Sequence, residues 1–226
     1  RAEKAVLDGD DLGLLHGLPI GIKDLEATSG ILTTLGSQLY ANHVPEKDQG
    51  SVANIRAEGG IVSGKTNAPE FGAGANTRNL VFGATGNPFA QDKTCGGSSG
   101  GSAVALATGM MPLASGSDYG GSLRTPAGFC GVVGIRPSPG VVAAECRPVG
   151  LLPFSVLGPM GRTVDDAYLL LQAQMGVDPH DPFSTAPDVD LFAPLEAADL
   201  GSIRAMITPD LGGAPMSNSY RSIFAK

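Results

Sequence analysis

Residues 95–131, CGGSSGGSAVALATGMMPLASGSDYGGSLRTPAGFCG, decide how this chain is read. Glycine pairs at 96–97, 100–101 and 120–121 mark places where the backbone turns tightly or passes close to another group, because a residue without Cβ reaches conformations and approaches closed to others. Between them, Ser102–Met110 reads as an Ala-rich helix, small on all faces and so suited to packing tightly on a sheet. MPLASGSD (111–118) then reads as a short strand. A helix followed by a strand points to an α/β fold.

Working outward, LPIGIKD (18–24) is a short apolar run that reads as a buried strand delivering Lys23 to its end. Ser51–Glu58 is expected to be a helix capped by Ser51 and stopped by Gly59 and Gly60, with IVSGKTN (61–67) as the next strand. Residues 72–97 form a long connection rich in Gly, Asn and Thr. Thr163–Met175 carries helical spacing, Thr163 as N-cap and Asp166 at the capping-box offset. The text from 177 to 193 is a Pro- and Asp-rich surface loop, and IRAMITPD (203–210) is predicted to be a late strand. AEKAV reads as the tail of a helix begun before Arg1, and Lys226 falls within the first turns of another helix. Both ends therefore read as cut, and residues 1–226 are expected to form one partial domain: a central mixed sheet flanked by helices on both sides.

Composition narrows the function. Of 226 residues, 42% are apolar and 16% charged, which suits a folded core rather than a disordered chain. The net charge of −7 repels a phosphate backbone, so no direct contact with nucleic acid is expected. No run approaches the roughly 18 apolar residues of a membrane span, and the opening RAEKAVLDGDD has no export pattern, so no membrane association is expected. Cys95, Cys130 and Cys146 are an odd number without a C-x-x-C pair. That argues against a disulfide framework or zinc site and for a reducing, cytoplasmic setting, with neither metal nor cofactor.

Two familiar patterns fail on context. Gly59, Gly64, Lys65 and Thr66 match G-x-x-x-x-G-K-[ST] letter for letter. A phosphate loop must follow a strand and open a helix, whereas here a helix precedes the glycines, a strand lies inside the pattern, and Pro69 follows. G-x-S-x-G occurs twice, centred on Ser98 and on Ser99, as in a nucleophile elbow. That reading needs a histidine base after the serine, and only His180 follows, in the loop VDPHDP.

What remains is lysine and serine. A hydroxyl is a poor nucleophile until a base takes its proton, and without histidine the base left is a lysine made neutral by desolvation in a closed pocket. Lys23, in an otherwise apolar strand, has that setting. Gly120 and Gly121 before Ser122 allow consecutive N–H groups to converge on one oxygen, as an oxyanion hole requires.

The run from Cys95 to Gly140, together with GLPIGIKD, GKTNAPEFG and LGPMGRTVDDAYLLL, resembles the amidase signature family of Ser-cisSer-Lys hydrolases. That group includes fatty-acid amide hydrolase, malonamidase and the A subunit of the glutamyl-tRNA amidotransferase. The resemblance runs from Leu18 to about Ala173, and the separations of 75 residues between Lys23 and Ser98 and 24 between Ser98 and Ser122 are family spacings. It implies Ser122 as the acyl-forming nucleophile, Ser98 as a relay after a cis peptide, and Lys23 as the terminal base. It also implies backbone N–H groups of Tyr119, Gly120, Gly121 and Ser122 as oxyanion donors, with Ser99 supporting the network. Asp118 and Arg124 flank the nucleophile and are read as a pair bracing its loop.

Three residues depart from the family pattern. Arg136-Pro137-Ser138 stands where Lys-Pro-Thr is usual, and Cys95 where Pro or Ser is commoner; Cys95 reads as a small packing residue. Family members run well beyond this length, and their later residues add strands, helices and part of the acyl pocket. The resemblance implies hydrolysis of a small-molecule carboxylic amide to carboxylate and ammonia or amine, and allows a homo-oligomer. The alternatives it leaves open are the A subunit of a tRNA-dependent amidotransferase that takes ammonia from glutamine, and a truncated inactive fragment.

Overall fold

The structure is a computed structural model and describes residues 2–147, 150–188, 190 and 193–225. Arg1 and Lys226, on which the reading of cut ends leans, lie outside the described residues, as do residues 189, 191 and 192 of the expected loop. By its contacts the chain divides into Arg1–Ala193 and Pro194–Lys226.

The larger unit runs α1 (Ala2–Asp8), β1 (Pro19–Lys23), α2 (Gly50–Ala57), β2 (Ile61–Thr66), then the short strands β3 (Arg78–Asn79), β4 (Gly83–Ala84), β5 (Gly86–Asn87) and β6 (Ala90–Thr94). It continues with α3 (Gly100–Ala107), β7 (Leu113–Asp118), α4 (Arg124–Cys130), β8 (Val133–Gly134), β9 (Val156–Gly161) and α5 (Val164–Gln174). Five strands form one mixed sheet in the order β2-β1-β7-β9-β8. β1 is parallel to β2 and β7, and β9 is antiparallel to β7 and β8. The long connection at 72–97 holds two antiparallel hairpins, β3-β4 and β5-β6.

Alternation along the strands gives each sheet face its own core. Ile20 pairs with Leu113, and with Ile22 they pack against Val52 and Ile55 of α2 and Leu170 and Ala173 of α5. Gly21 pairs with Ala114, and Ala114 with Met160; Ala114 and Met160 pack against Ala103 and Leu106 of α3 and Ala127 and Cys130 of α4. The mixed sheet with helices on both sides is thus the arrangement the apolar pattern requires.

Three local expectations are corrected. Ser51 is not the cap of α2: Gln49 occupies that position, and the Gly50 N–H donates to Glu145 Oε1 at 2.6 Å. Ser51 lies inside the helix and donates to Glu26 Oε2 at 2.9 Å. Helix α3 begins at Gly100 rather than Ser102, because its glycines serve close approach. A Cβ at 100 would stand 2.2 Å from Thr77 Oγ1, and one at 101 would stand 2.3 Å from Asn67 N. IRAMITPD forms no strand. A strand needs a neighbour to take its backbone hydrogen bonds, and among the described residues the 194–226 unit contains no other strand; Met206 and Ile207 in it are exposed. That unit carries α6 (Asn218–Phe224), with Ser217 as N-cap accepting from Tyr220 N at 3.3 Å.

The capping box at α5 is present in both directions, Asp166 N to Thr163 Oγ1 and Thr163 N to Asp166 Oδ2, each 3.1 Å. Gly101→Ala drives a methyl into rigid backbone and is expected to destabilise by about 1–3 kcal/mol, whereas Thr163→Ala loses only a cap, about 1 kcal/mol. Denaturant midpoints of the two variants check this order.

Candidate active site

The parallel strands β1 and β7 end side by side, and their ends carry the polar residues. Lys23 closes β1 and is fully buried. Its Nζ donates to Ser98 Oγ and Ser99 Oγ, each at 2.8 Å, and to Ser117 Oγ at 2.9 Å. Burial lowers the Lys23 ammonium from its ordinary 10.5 to about 7, opposed by the negative charges of Glu26 and Asp118. The amine thus sits among three hydroxyls in a place where carrying a proton is costly.

Ser98 and Ser99 lie at the turn that leads from β6 into α3, and the Gly97–Ser98 peptide is cis, the isomer the resemblance implies. Both serines are buried. Ser99 Oγ donates to Ser117 O at 3.3 Å and its N–H to Ser122 O at 3.2 Å, which joins the turn to β7 and to the loop after it.

Ser122 follows β7 in the loop that opens α4. It shares a cavity of about 630 Å³ with Ser98, Ser117, Tyr119 and Gly120. The structure therefore brings Lys23, Ser98 and Ser99 into direct contact and places Ser122 on the same cavity wall. Among the described residues the Ser122 hydroxyl makes no hydrogen bond, to Ser98 or to any other group. The backbone N–H groups of Tyr119, Gly120 and Ser122 likewise have no partner among the described residues, whereas that of Gly121 donates to Asp118 Oδ1 at 2.7 Å.

Asp118 organises this loop. Its carboxylate accepts from Leu123 N at 3.1 Å, from Arg124 Nε at 3.0 Å and Nη2 at 3.2 Å, and from Arg136 Nη1 at 3.0 Å. Burial alone would raise its carboxyl, but the hydrogen bonds from Arg124, Gly121 and Leu123 outweigh that and hold it at about 2. Asp118 and Arg124 pair as the sequence led us to expect. Arg136 is the addition: it also binds the Asp118 carbonyl, and it donates to Phe154 O at 3.0 Å, so the guanidinium at the Arg-Pro-Ser site ties the loop to the segment before β9.

Other residues escaped the sequence reading. Ser117 is reachable in principle, since a polar residue alternating with Ser115 along a buried strand needs partners. Arg147 and Asp181 are 34 residues apart, so no local pattern joins them; Arg147 lines the cavity and pairs with Asp181 through Nε–Oδ1 at 2.9 Å and Nη2–Oδ2 at 3.0 Å. His180 is exposed and bonded to Asp178, remote from the role a triad would give it. Gly64, Lys65 and Thr66 lie in β2, and Lys65 is held by Thr28 and Thr33, not at a helix start. Cys95 is buried with its Sγ on Thr85 O at 3.2 Å, and burial pushes its thiol up.

The family described as Amidase matches residues 1–226. The chain belongs to the amidase family. It is 46% identical over 188 residues to the A subunit of the glutamyl-tRNA(Gln) amidotransferase from Alkaliphilus metalliredigens, covering 79% of this chain and 38% of that protein. Among solved structures it resembles a bacterial aryl acylamidase of the amidase signature family, with TM-score 0.79 and 36% identity, covering 84% of this chain and 40% of that one. It also resembles the peptide amidase of Stenotrophomonas maltophilia, with TM-score 0.76 and 33% identity, covering 84% of this chain and 40% of that one. The amidase chain thus spans about two fifths of the length of these relatives. Among its described residues no helix is long and apolar enough to cross a membrane.

Because the Asp118 carboxyl is held below the ordinary 3.8, its contribution is fully present above that value and fades as pH falls toward about 2. Asp118→Asn is expected to destabilise by about 1–3 kcal/mol near neutrality, and the gap to the parent is expected to narrow between those two pH values. Unfolding midpoints followed through the acid range measure it.

Proposed function

We propose that this amidase hydrolyses a small-molecule carboxylic amide through an acyl-enzyme on Ser122. The observation that carries this reading is Lys23, fully buried with its Nζ 2.8 Å from Ser99 and from Ser98, which lines a cavity together with Ser122. An amine that titrates near 7 has a substantial neutral fraction at working pH, and a neutral amine can accept a proton from a hydroxyl.

In this mechanism Ser122 Oγ attacks the amide carbon and gives its proton to Ser98, whose own proton passes to Lys23. The carbonyl oxygen becomes an oxyanion held by the N–H groups of Tyr119, Gly120 and Ser122, which have no partner among the described residues, while that of Gly121 is spent on Asp118 and holds the loop. Collapse returns the proton to the leaving nitrogen, releasing ammonia or an amine, and water then attacks the acyl-serine by the same route. No step calls on a metal or cofactor. The free thiols of Cys95, Cys130 and Cys146 support a reducing, cytoplasmic setting, and the net charge supports a partner other than nucleic acid.

A second reading is favoured by the 46% identity to the A subunit of an amidotransferase. In it the same acyl chemistry releases ammonia from glutamine for a partner protein. Co-purifying partners and glutaminase activity mark that reading, and hydrolysis of simple amides without partners marks the first.

A fluorophosphonate probe is expected to label Ser122, and labelling of another residue with Ser122 untouched refutes the assignment. Lys23→Ala is expected to lower turnover by about 10²- to 10⁴-fold at every pH. In the parent, the rate is expected to be full above about 7 and to fall as pH drops through about 7 and Lys23 gains its proton.

A further inference from the structure

Beneath Lys23 lies a carboxylate that the mechanism above does not use. Glu26 is almost wholly buried, three residues beyond the end of β1. Its Oε2 accepts from Ser51 Oγ on α2 at 2.9 Å, and its Oε1 accepts from Ser115 Oγ on β7. The same Ser115 Oγ accepts the backbone N–H of Lys23 at 3.0 Å, so a chain of two hydrogen bonds runs from the Glu26 carboxylate to the backbone of the lysine. The Glu26 carbonyl is bound by Lys65 Nζ, which also donates to Thr28 Oγ1 at 2.7 Å and Thr33 Oγ1 at 3.2 Å. The carboxylate is therefore held by α2 through Ser51 and by β7 through Ser115, while β2 holds the Glu26 backbone through Lys65.

A buried carboxylate is expensive, and a fold that needed only to fill this space would use an apolar residue. We propose that Glu26 is a positioning residue for Lys23: its carboxylate, held through Ser115, stabilises the ammonium that forms on Lys23 when the relay delivers a proton. The inference rests on the reading of Lys23 as terminal base. The logic parallels that of a buried aspartate behind a catalytic histidine, where the carboxylate orients the base and stabilises its charged form without taking the proton itself.

The charged groups around the pair are few. Lys23 feels Glu26 and Asp118, both of which favour its ammonium. Glu26 feels Lys65 and Lys23. Burial raises the Glu26 carboxyl, while the Ser115 and Ser51 hydroxyls and the two lysines pull it down. The two groups therefore titrate as a pair, and Glu26 ionises most readily when Lys23 is protonated. Proton balance is preserved throughout, since one proton leaves Ser122, rests on Lys23 and departs on the leaving nitrogen.

The test is the pH dependence of amide hydrolysis by the protein carrying this chain, using a carboxylic nitroanilide as probe. Glu26→Gln keeps the shape but removes the charge, and it turns one of the two oxygens that accept from Ser51 and Ser115 into a donor. Its acid limb is expected to move about one pH unit toward acid, with the plateau rate down about tenfold. Glu26→Asp, which keeps the charge, is expected to return the limb toward the parent position. A folded Glu26→Gln whose limb coincides with the parent's overturns the proposal, because a side chain that merely fills space leaves the limb in place. Should Glu26→Gln not fold, Ser115→Ala carries the same test: a shift of the same sign supports the proposal and an unmoved limb overturns it. Lys23→Ala run alongside separates the two claims. If that variant is dead while the Glu26→Gln limb stays put, only this inference fails; if it keeps full turnover, the reading of Lys23 as base fails with it.

Discussion

An amine taken out of water has few ways to remain stable, and the fold around Lys23 is arranged to supply them. Three serine hydroxyls reach its Nζ, and the carboxylates of Glu26 and Asp118 bear on its charge from different sides. Burial alone would press the lysine further toward neutrality, and the carboxylates alone would keep it charged. Their balance leaves it near 7, so that the amine gains or loses its proton close to neutrality. Remove the burial and the amine becomes an ordinary surface cation; remove the hydroxyls and it becomes an unsatisfied donor in the core.

This constraint explains the unusual residue choice nearby. A glycine at 100 or 101 lets α3 approach Thr77, Cys95 and Asn67, which brings Ser98 and Ser99 down onto the lysine. Gly116 does the same on β7: a Cβ there would stand 2.6 Å from Leu123 Cδ2 and 2.9 Å from Ser99 Oγ. Asp118, gripped by Arg124 and Arg136, fixes the far side of the cavity. The glycines around residues 95–131 thus serve two needs, close packing at 100, 101 and 116 and left-handed backbone at 96, 109, 121 and 131.

Much of this could be read from residues alone. The apolar run before Lys23, the serines at a glycine turn and Thr163 with Asp166 each carry a local pattern, and each stands where the pattern puts it. What escaped is what depends on distant partners. Ser51 looks like a helix cap until Glu26, 25 residues away, claims its hydroxyl. IRAMITPD has a strand's composition and no strand beside it. Arg147 and Asp181, and the arm of Arg136 that reaches Phe154, join segments that no periodicity connects. Short-range propensity marks individual elements, and tertiary contacts decide their ends and their chemistry.

The order of strands in the sheet also determines when such a centre can come into being. Lys23 arrives on β1, Ser98 before α3, and Ser115 and Ser117 on β7, so the partners of Lys23 lie 75 to 94 residues away and those of β7 meet it only when β1 and β7 lie in register. Loop closure over that distance precedes any reward from the polar contacts, which makes the site a late product of assembly and not a seed for it. The contacts of Lys23 therefore report the completed sheet: with β7 detached, its amine loses Ser117 and its backbone loses Ser115.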